Sequence, residues 1–96
     1  MVEVRQTAEF SGWLRRLKDA KAKARIAARI ERMKLGNLGD CKSLGGALME
    51  LRVDYGPGYR VYFVRQGATI VLLLCGGDKR TQQRDIRRAY ELAEKL

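Results

Sequence analysis

Apolar and polar residues change their period along this chain, and each change marks an element. Val2 to Gln6 alternates valine with polar residues, which suits a short strand. Thr7 can cap a helix on which Phe10, Trp13, Leu14 and Leu17 fall at i, i+3, i+4 and i+7, one apolar stripe. Trp13 offers a ring for base stacking, but its place in that stripe favours the core. Asp19 caps a second helix expected from Ala20 to about Leu35, with Ala22, Ile26, Ile30 and Met33 inside and Gly36 as its stop. Asn37 to Gly46 is loop by composition.

From Ala47 the period becomes two. Ala47, Met49, Leu51 and Val53 point one way, and Leu48, Glu50 and Arg52 point the other. Asp54-Tyr55-Gly56-Pro57-Gly58 forms a turn. The next strand places Tyr59, Val61 and Phe63 on one face and Arg60, Tyr62 and Val64 on the other. Gln66-Gly67 turns the chain again. Thr69 to Cys75 is almost wholly apolar, as expected of a central strand covered on both faces. Thr81 then caps a last helix whose stripe is Ile86, Ala89, Tyr90 and Ala93, which assigns Tyr90 to the core.

The expected order is β-α-α-β-β-β-α, an α+β fold with a mainly antiparallel sheet. Two N-terminal helices should cover one face, the other face should stay partly open, and a C-terminal helix completes the fold. The 96 residues show no repeat, low-complexity segment or linker, so 1–96 is expected to be a single domain.

Charge sharpens this picture. Twenty Lys+Arg against eleven Asp+Glu give a net charge of +9, and the sequence pI is about 10.1. Such a balance makes nucleic acid the first partner to consider, and it is compatible with an acidic protein partner as well. The bland alternative is a basic protein whose charge only keeps it soluble. On the second helix, Lys21, Lys23, Arg25, Arg29 and Arg32 form an outer face, with Lys18 just before it. That face is either solvated or tracks a nucleic-acid backbone. The N-terminus has no apolar signal segment, and Ala68 to Cys75 is far too short to span a bilayer, so a cytoplasmic protein without membrane association is expected. Cys41 and Cys75 lack metal-site spacing. The chain has no histidine to complete a zinc site or to activate a thiol.

The chemistry concentrates in the second half of the chain. If Val53 pairs with Tyr59 across the five-residue turn, Arg52 faces Arg60 and Glu50 faces Tyr62. Two opposed arginines repel. Either Glu50 and Asp54 neutralise them in an ion-pair ladder, or the site awaits an anion. Gly76-Gly77 and then Lys79-Arg80 at the same edge favour the anion, since glycines let backbone N–H groups approach a ligand and Arg pairs bidentately with phosphate.

Four segments in order now carry a resemblance: Glu50-Leu51-Arg52, Tyr59-Arg60-Val61-Tyr62, the apolar strand from Ile70 to Leu74, and Lys79-Arg80-Thr81-Gln82. With the two preceding helices they resemble the RelE/ParE toxin superfamily, in its HigB-like addiction module killer branch. The resemblance implies the toxin of a type II toxin–antitoxin pair, an mRNA interferase that cuts message on the ribosome. It implies silencing by a cognate antitoxin, a helix-turn-helix, HigA-like protein, with operator DNA bound only through that complex. It places the transition-state arginines at Arg60 and Arg80, with Arg52 and Lys79 completing the catalytic set. Lys42, Tyr62, Arg84, Arg25 and Arg29 are the expected RNA contacts. The family's tyrosine general base falls on Ile86, so it is not carried over. Lys79 is the first substitute, because crowding by three arginines favours its neutral amine, and Tyr62 is the second.

No carboxylate cluster reads as a Mg²⁺ site, so neither metal nor other cofactor is expected. An internal nucleophile then has to serve, and RNA supplies one in the ribose 2′-hydroxyl. Two other classes remain open: a gyrase-inhibiting toxin of the ParE type, and an RNA-binding module without catalysis.

Overall fold

A computed structural model describes residues 1–96. Strand β1 (Glu3–Gln6) leads into helices α1 (Ala8–Arg16) and α2 (Ala20–Lys34). Strands β2 (Cys41–Gly45), β3 (Leu48–Val53), β4 (Tyr59–Gln66) and β5 (Ile70–Asp78) follow, then a single 3-10 turn over Lys79–Thr81 and helix α3 (Gln82–Glu94). The five strands form one sheet in the order β1-β5-β4-β3-β2. β1 runs parallel to β5 and every other pairing is antiparallel. The fold is therefore α+β, with a mostly antiparallel sheet and helices on both faces.

Local chemistry sets the helix starts. The Thr7 side chain accepts from the Phe10 N–H at 3.0 Å, and its hydroxyl donates to the Leu74 carbonyl at 2.6 Å. One residue thus caps α1 and pins it to β5. Leu74 is free to accept because the β4–β5 register shifts there: Tyr62 pairs with Cys75 and Phe63 with Leu73. Asp19 caps α2, accepting from the N–H groups of Lys21 and Ala22 at 2.9 and 3.2 Å. Gly36, at φ 91°, lets the chain leave that helix.

The alternation along β3 and β4 feeds two cores. Leu51, Val53, Tyr59, Val61 and Phe63 join Phe10 of α1 and Ala22, Ile26, Ile30 and Met33 of α2. Leu48, Tyr62, Val64, Leu74 and Cys75 lie under Ala89 of α3 on the other face. No helix is long and apolar enough to cross a membrane.

Four expectations need correction. Cys41–Gly45 is an edge strand and not loop; it pairs with β3, so Lys42 lies beside Glu50. β5 continues through Gly76 and Gly77 to Asp78, where the apolar pattern suggested an end at Cys75. Thr81 makes no capping hydrogen bond; its hydroxyl donates instead to Asp85 at 2.5 Å, and the Asp78 side chain caps the preceding turn through the Arg80 N–H at 2.8 Å. Tyr90 stands at 39% exposure at the surface, its hydroxyl donating to the Leu44 carbonyl.

Candidate active site

The β3–β4 register is the one the five-residue turn implied: Arg52 opposes Arg60 and Glu50 opposes Tyr62. On β5 the next residues across are Gly77 and Cys75. These rows lie on the α3 face of the sheet. α3 starts only at Gln82, so it covers the Glu50–Tyr62–Cys75 row and leaves the Arg52–Arg60 row at its edge. A cleft of about 420 Å³ opens there, lined by Asp40, Arg52, Asp54, Gly56, Pro57, Gly58, Arg60 and Lys79. Gly58 has φ +82°, and a side chain there would touch the Arg60 Nη1 and the Lys79 Cβ at 3.5 and 3.6 Å. The backbone conformation there favours glycine, while the space would admit a Cβ in ordinary contact. A second hollow of about 490 Å³ adjoins, lined by Lys79, Arg80, Thr81, Gln82, Gln83 and Arg84. Lys79 belongs to both.

The four candidate cations are not equivalent. Arg52 is held by Asp40, with Nη2 and Nε at 2.7 and 3.2 Å from Oδ1. Arg80 folds back on Asp78, its Nη2 at 2.9 Å from Oδ2, and that contact is the main cause of an Asp78 carboxyl below its ordinary range. Arg60 is the least exposed of them, its side chain 13% exposed. Its Nε stands 3.9 Å from Glu50 Oε2, too long for a hydrogen bond, and its Nη1 donates to the Tyr59 carbonyl at 3.3 Å. Lys79 is exposed and enters none of the molecule's ion pairs. The arginines expected to crowd it each have a carboxylate nearby, which offsets that crowding. The neutralising residues also differ from expectation. Glu50 faces Arg60 as foreseen, but Asp40 takes the place of Asp54.

Beneath the cleft lies a buried polar cluster. Glu50 is 1% exposed and accepts from the Gln82 side-chain amide at 2.7 Å. Tyr62 is fully buried. Its hydroxyl has no hydrogen-bond partner. Burial first, then the charges of Glu50 and Asp85, push it above the usual tyrosine range. Tyr62 therefore presents no surface to the cleft with which to touch RNA.

The two glycines of β5 have packing reasons of their own. A Cβ at Gly76 would overlap the Trp13 ring, and one at Gly77 would overlap the Asp85 carboxylate. They admit an aromatic ring on one face and a carboxylate on the other, so close approach to a ligand is not needed to explain them. Trp13 packs against the core beside Phe10 and Tyr59.

The remaining expected RNA contacts are scattered. Lys42 and Arg84 are exposed, Arg84 lying 3.7 Å from Asp85. Arg25 sits 4.7 Å over the Tyr55 ring, on the α2 face of the molecule. Arg29 is committed to structure: it donates to the carbonyls of Arg52, Leu38 and Asp40 at 2.6, 3.4 and 3.4 Å. The largest depression, about 680 Å³ between α1 and α3, shares only Arg84 with the cationic hollows. Its wall carries the Arg88–Glu9 ion pair at 2.7 Å, which ties the two helices.

Asp40, Gln82, Asp85 and Thr81 also border the site, beyond the residues that the sequence points to. Asp78 had a local signal, an aspartate two residues before the arginine it caps and pairs with. Asp40 had none, because it reaches Arg52 only once β2 forms.

Known proteins match this chain over nearly its whole length. Residues 12–96 match the family described as phage-derived protein Gp49-like (DUF891). An uncharacterised protein of Haemophilus influenzae is 50% identical over 95 residues, which span 99% of this chain and 96% of that protein. A match that takes in α2, strands β2 to β5 and α3 leaves no element of the cleft outside it, and the chain belongs to the phage-derived Gp49-like family.

Proposed function

We propose that this protein is a toxin that cuts messenger RNA on the ribosome by activating the ribose 2′-hydroxyl. The carrying observation is the cleft in which Arg52, Arg60 and Lys79 meet, with the Arg60 side chain half-buried and Lys79 unpaired. The Gp49-like family is a toxin-like family, which supports the broader reading.

In this reading a phosphodiester enters between Arg60 and Lys79. The 2′-oxygen attacks the adjacent phosphorus as its proton passes to solvent, the P–O5′ bond breaks, and the leaving 5′-oxygen takes up a proton from water. The products are a 2′,3′-cyclic phosphate and a 5′-hydroxyl. Charge grows on the non-bridging oxygens during attack, and a guanidinium already fixed near them lowers that barrier without reorganising. Removing one such donor costs about 10²–10³-fold in rate. Arg52 and Arg80 reach the flanking phosphates once these displace Asp40 and Asp78. The reaction requires no metal, and a partner with acidic side chains silences the cleft.

Purified protein added to translating ribosomes, followed by mapping of message ends, tests this. New 5′-hydroxyl ends matched by cyclic-phosphate ends are expected, and if a free RNA is also cut, excess EDTA leaves that cleavage intact. Intact message, or 5′-phosphate ends, contradicts the proposal.

A further inference from the structure

Among the cleft arginines, Arg60 is attracted to a carboxylate without surrendering its hydrogen-bond donors to it. Arg52 and Arg80 each spend guanidinium N–H groups on an aspartate, at 2.7 and 2.9 Å. Arg60 faces Glu50 at 3.9 Å, and its Nε makes no hydrogen bond. The same Glu50 oxygen, Oε2, accepts from Gln82 at 2.7 Å. Gln82 is the first residue of α3, so the carboxylate is gripped from the helix that borders the cleft. Glu50 comes from β3 and Arg60 from β4, and the full burial of Tyr62 closes the third side.

A buried ion pair is a poor device for stability alone, since well-packed apolar residues often serve as well or better. This pair is also not optimised as a salt bridge. What it achieves is orientation: a charge at the back of the guanidinium holds it while its terminal nitrogens remain open to the cleft. Nη1 has only the Tyr59 carbonyl, at 3.3 Å. We infer that Glu50, oriented by Gln82, is the positioning residue that presents the Arg60 guanidinium to a phosphate in the cleft. This rests on the proposed role of Arg60 as the phosphate-binding group.

Nuclear magnetic resonance of the arginine side chains tests the inference apart from catalysis. The Arg60 Nε–H signal is identified by its loss in Arg60→Lys. In the native protein it should exchange slowly with water. In Glu50→Gln, with backbone amides unchanged, it should exchange at least about 10-fold faster, as the opening of a held group does. Gln82→Ala should act in the same direction to a smaller extent. In ribosome-dependent cleavage, Glu50→Gln should lower kcat by about 10²-fold through misplacement of Arg60, with KM within about threefold. Added to Arg60→Ala, it should cost nothing further, because both changes act through one group. Unchanged Arg60 exchange in a folded Glu50→Gln protein overturns the inference, whatever its activity. Should Glu50→Gln not fold, Gln82→Ala decides, and native exchange there overturns it too. If the native protein cuts no RNA, the nuclease reading fails while the exchange result still judges the role of Glu50.

Discussion

At the scale of single residues, close approach governs what can be changed. Gly77 ends the Arg52–Arg60 row on β5, and a methyl group there would overlap the Asp85 carboxylate and come within 3.1 Å of the Thr81 hydroxyl. Gly77→Ala should destabilise the protein by about 1–3 kcal/mol, the usual cost of overpacking. Urea denaturation measures this, and an unchanged midpoint would show that Asp85 moves aside freely. Charged residues give a second test. Hydrogen bonds from Arg88 hold the Glu9 carboxyl below its ordinary 4.5. A carboxyl with a depressed folded value binds fewer protons folded than unfolded. Its stabilisation is complete above the ordinary value and is lost as pH falls through the folded one. The thermal midpoint should therefore drop as pH is lowered from about 5 to about 3, and Glu9→Gln should flatten that drop. An equal drop in both proteins would remove Glu9 as a cause. Asp78 contributes in the same sense, through Arg80.

Among elements, the legible parts were those specified within a few residues of sequence. Thr7 and Asp19 announced α1 and α2 because caps act over one turn. The Tyr59–Gln66 strand and its register followed from alternation and a turn of fixed length. β2 was not legible. Cys41-Lys42-Ser43-Leu44-Gly45 has little alternation, it is flanked by glycines, and only pairing with β3 makes it a strand. Asp40 reaches Arg52 only through β2, so the sequence carries no sign of that pair. Gly76-Gly77 misled in the opposite way: glycines that admit Trp13 and Asp85 read as a ligand-binding bend. Arg29 shows how a charge run conceals a structural residue. Its guanidinium staples α2 to the carbonyls of Leu38, Asp40 and Arg52, so Arg29→Ala should cost about 1–2 kcal/mol of stability. Its effect on RNA affinity should be no larger than that of Lys21→Ala on the same helix. A selective loss of RNA binding without loss of stability would return Arg29 to the RNA-contacting set.

For the molecule as a whole, a charge of +9 on 96 residues predicts a surface that meets anionic partners quickly and loses them in salt. The silencing partner proposed above belongs to this scale. Expression of this protein alone should arrest growth, co-expression with the protein encoded by the adjacent small reading frame should restore it, and the complex should form more slowly as ionic strength rises. A neighbour that neither rescues growth nor co-purifies would leave the toxin–antitoxin reading without its partner. The central claim is narrower: the cationic cleft around Arg60 performs the cut. Single-turnover cleavage of message on programmed ribosomes, comparing native protein with folded Arg60→Ala, tests it most directly. The account predicts a loss of about 10²–10³-fold in Arg60→Ala. A folded Arg60→Ala protein that cuts message at the native rate would contradict it.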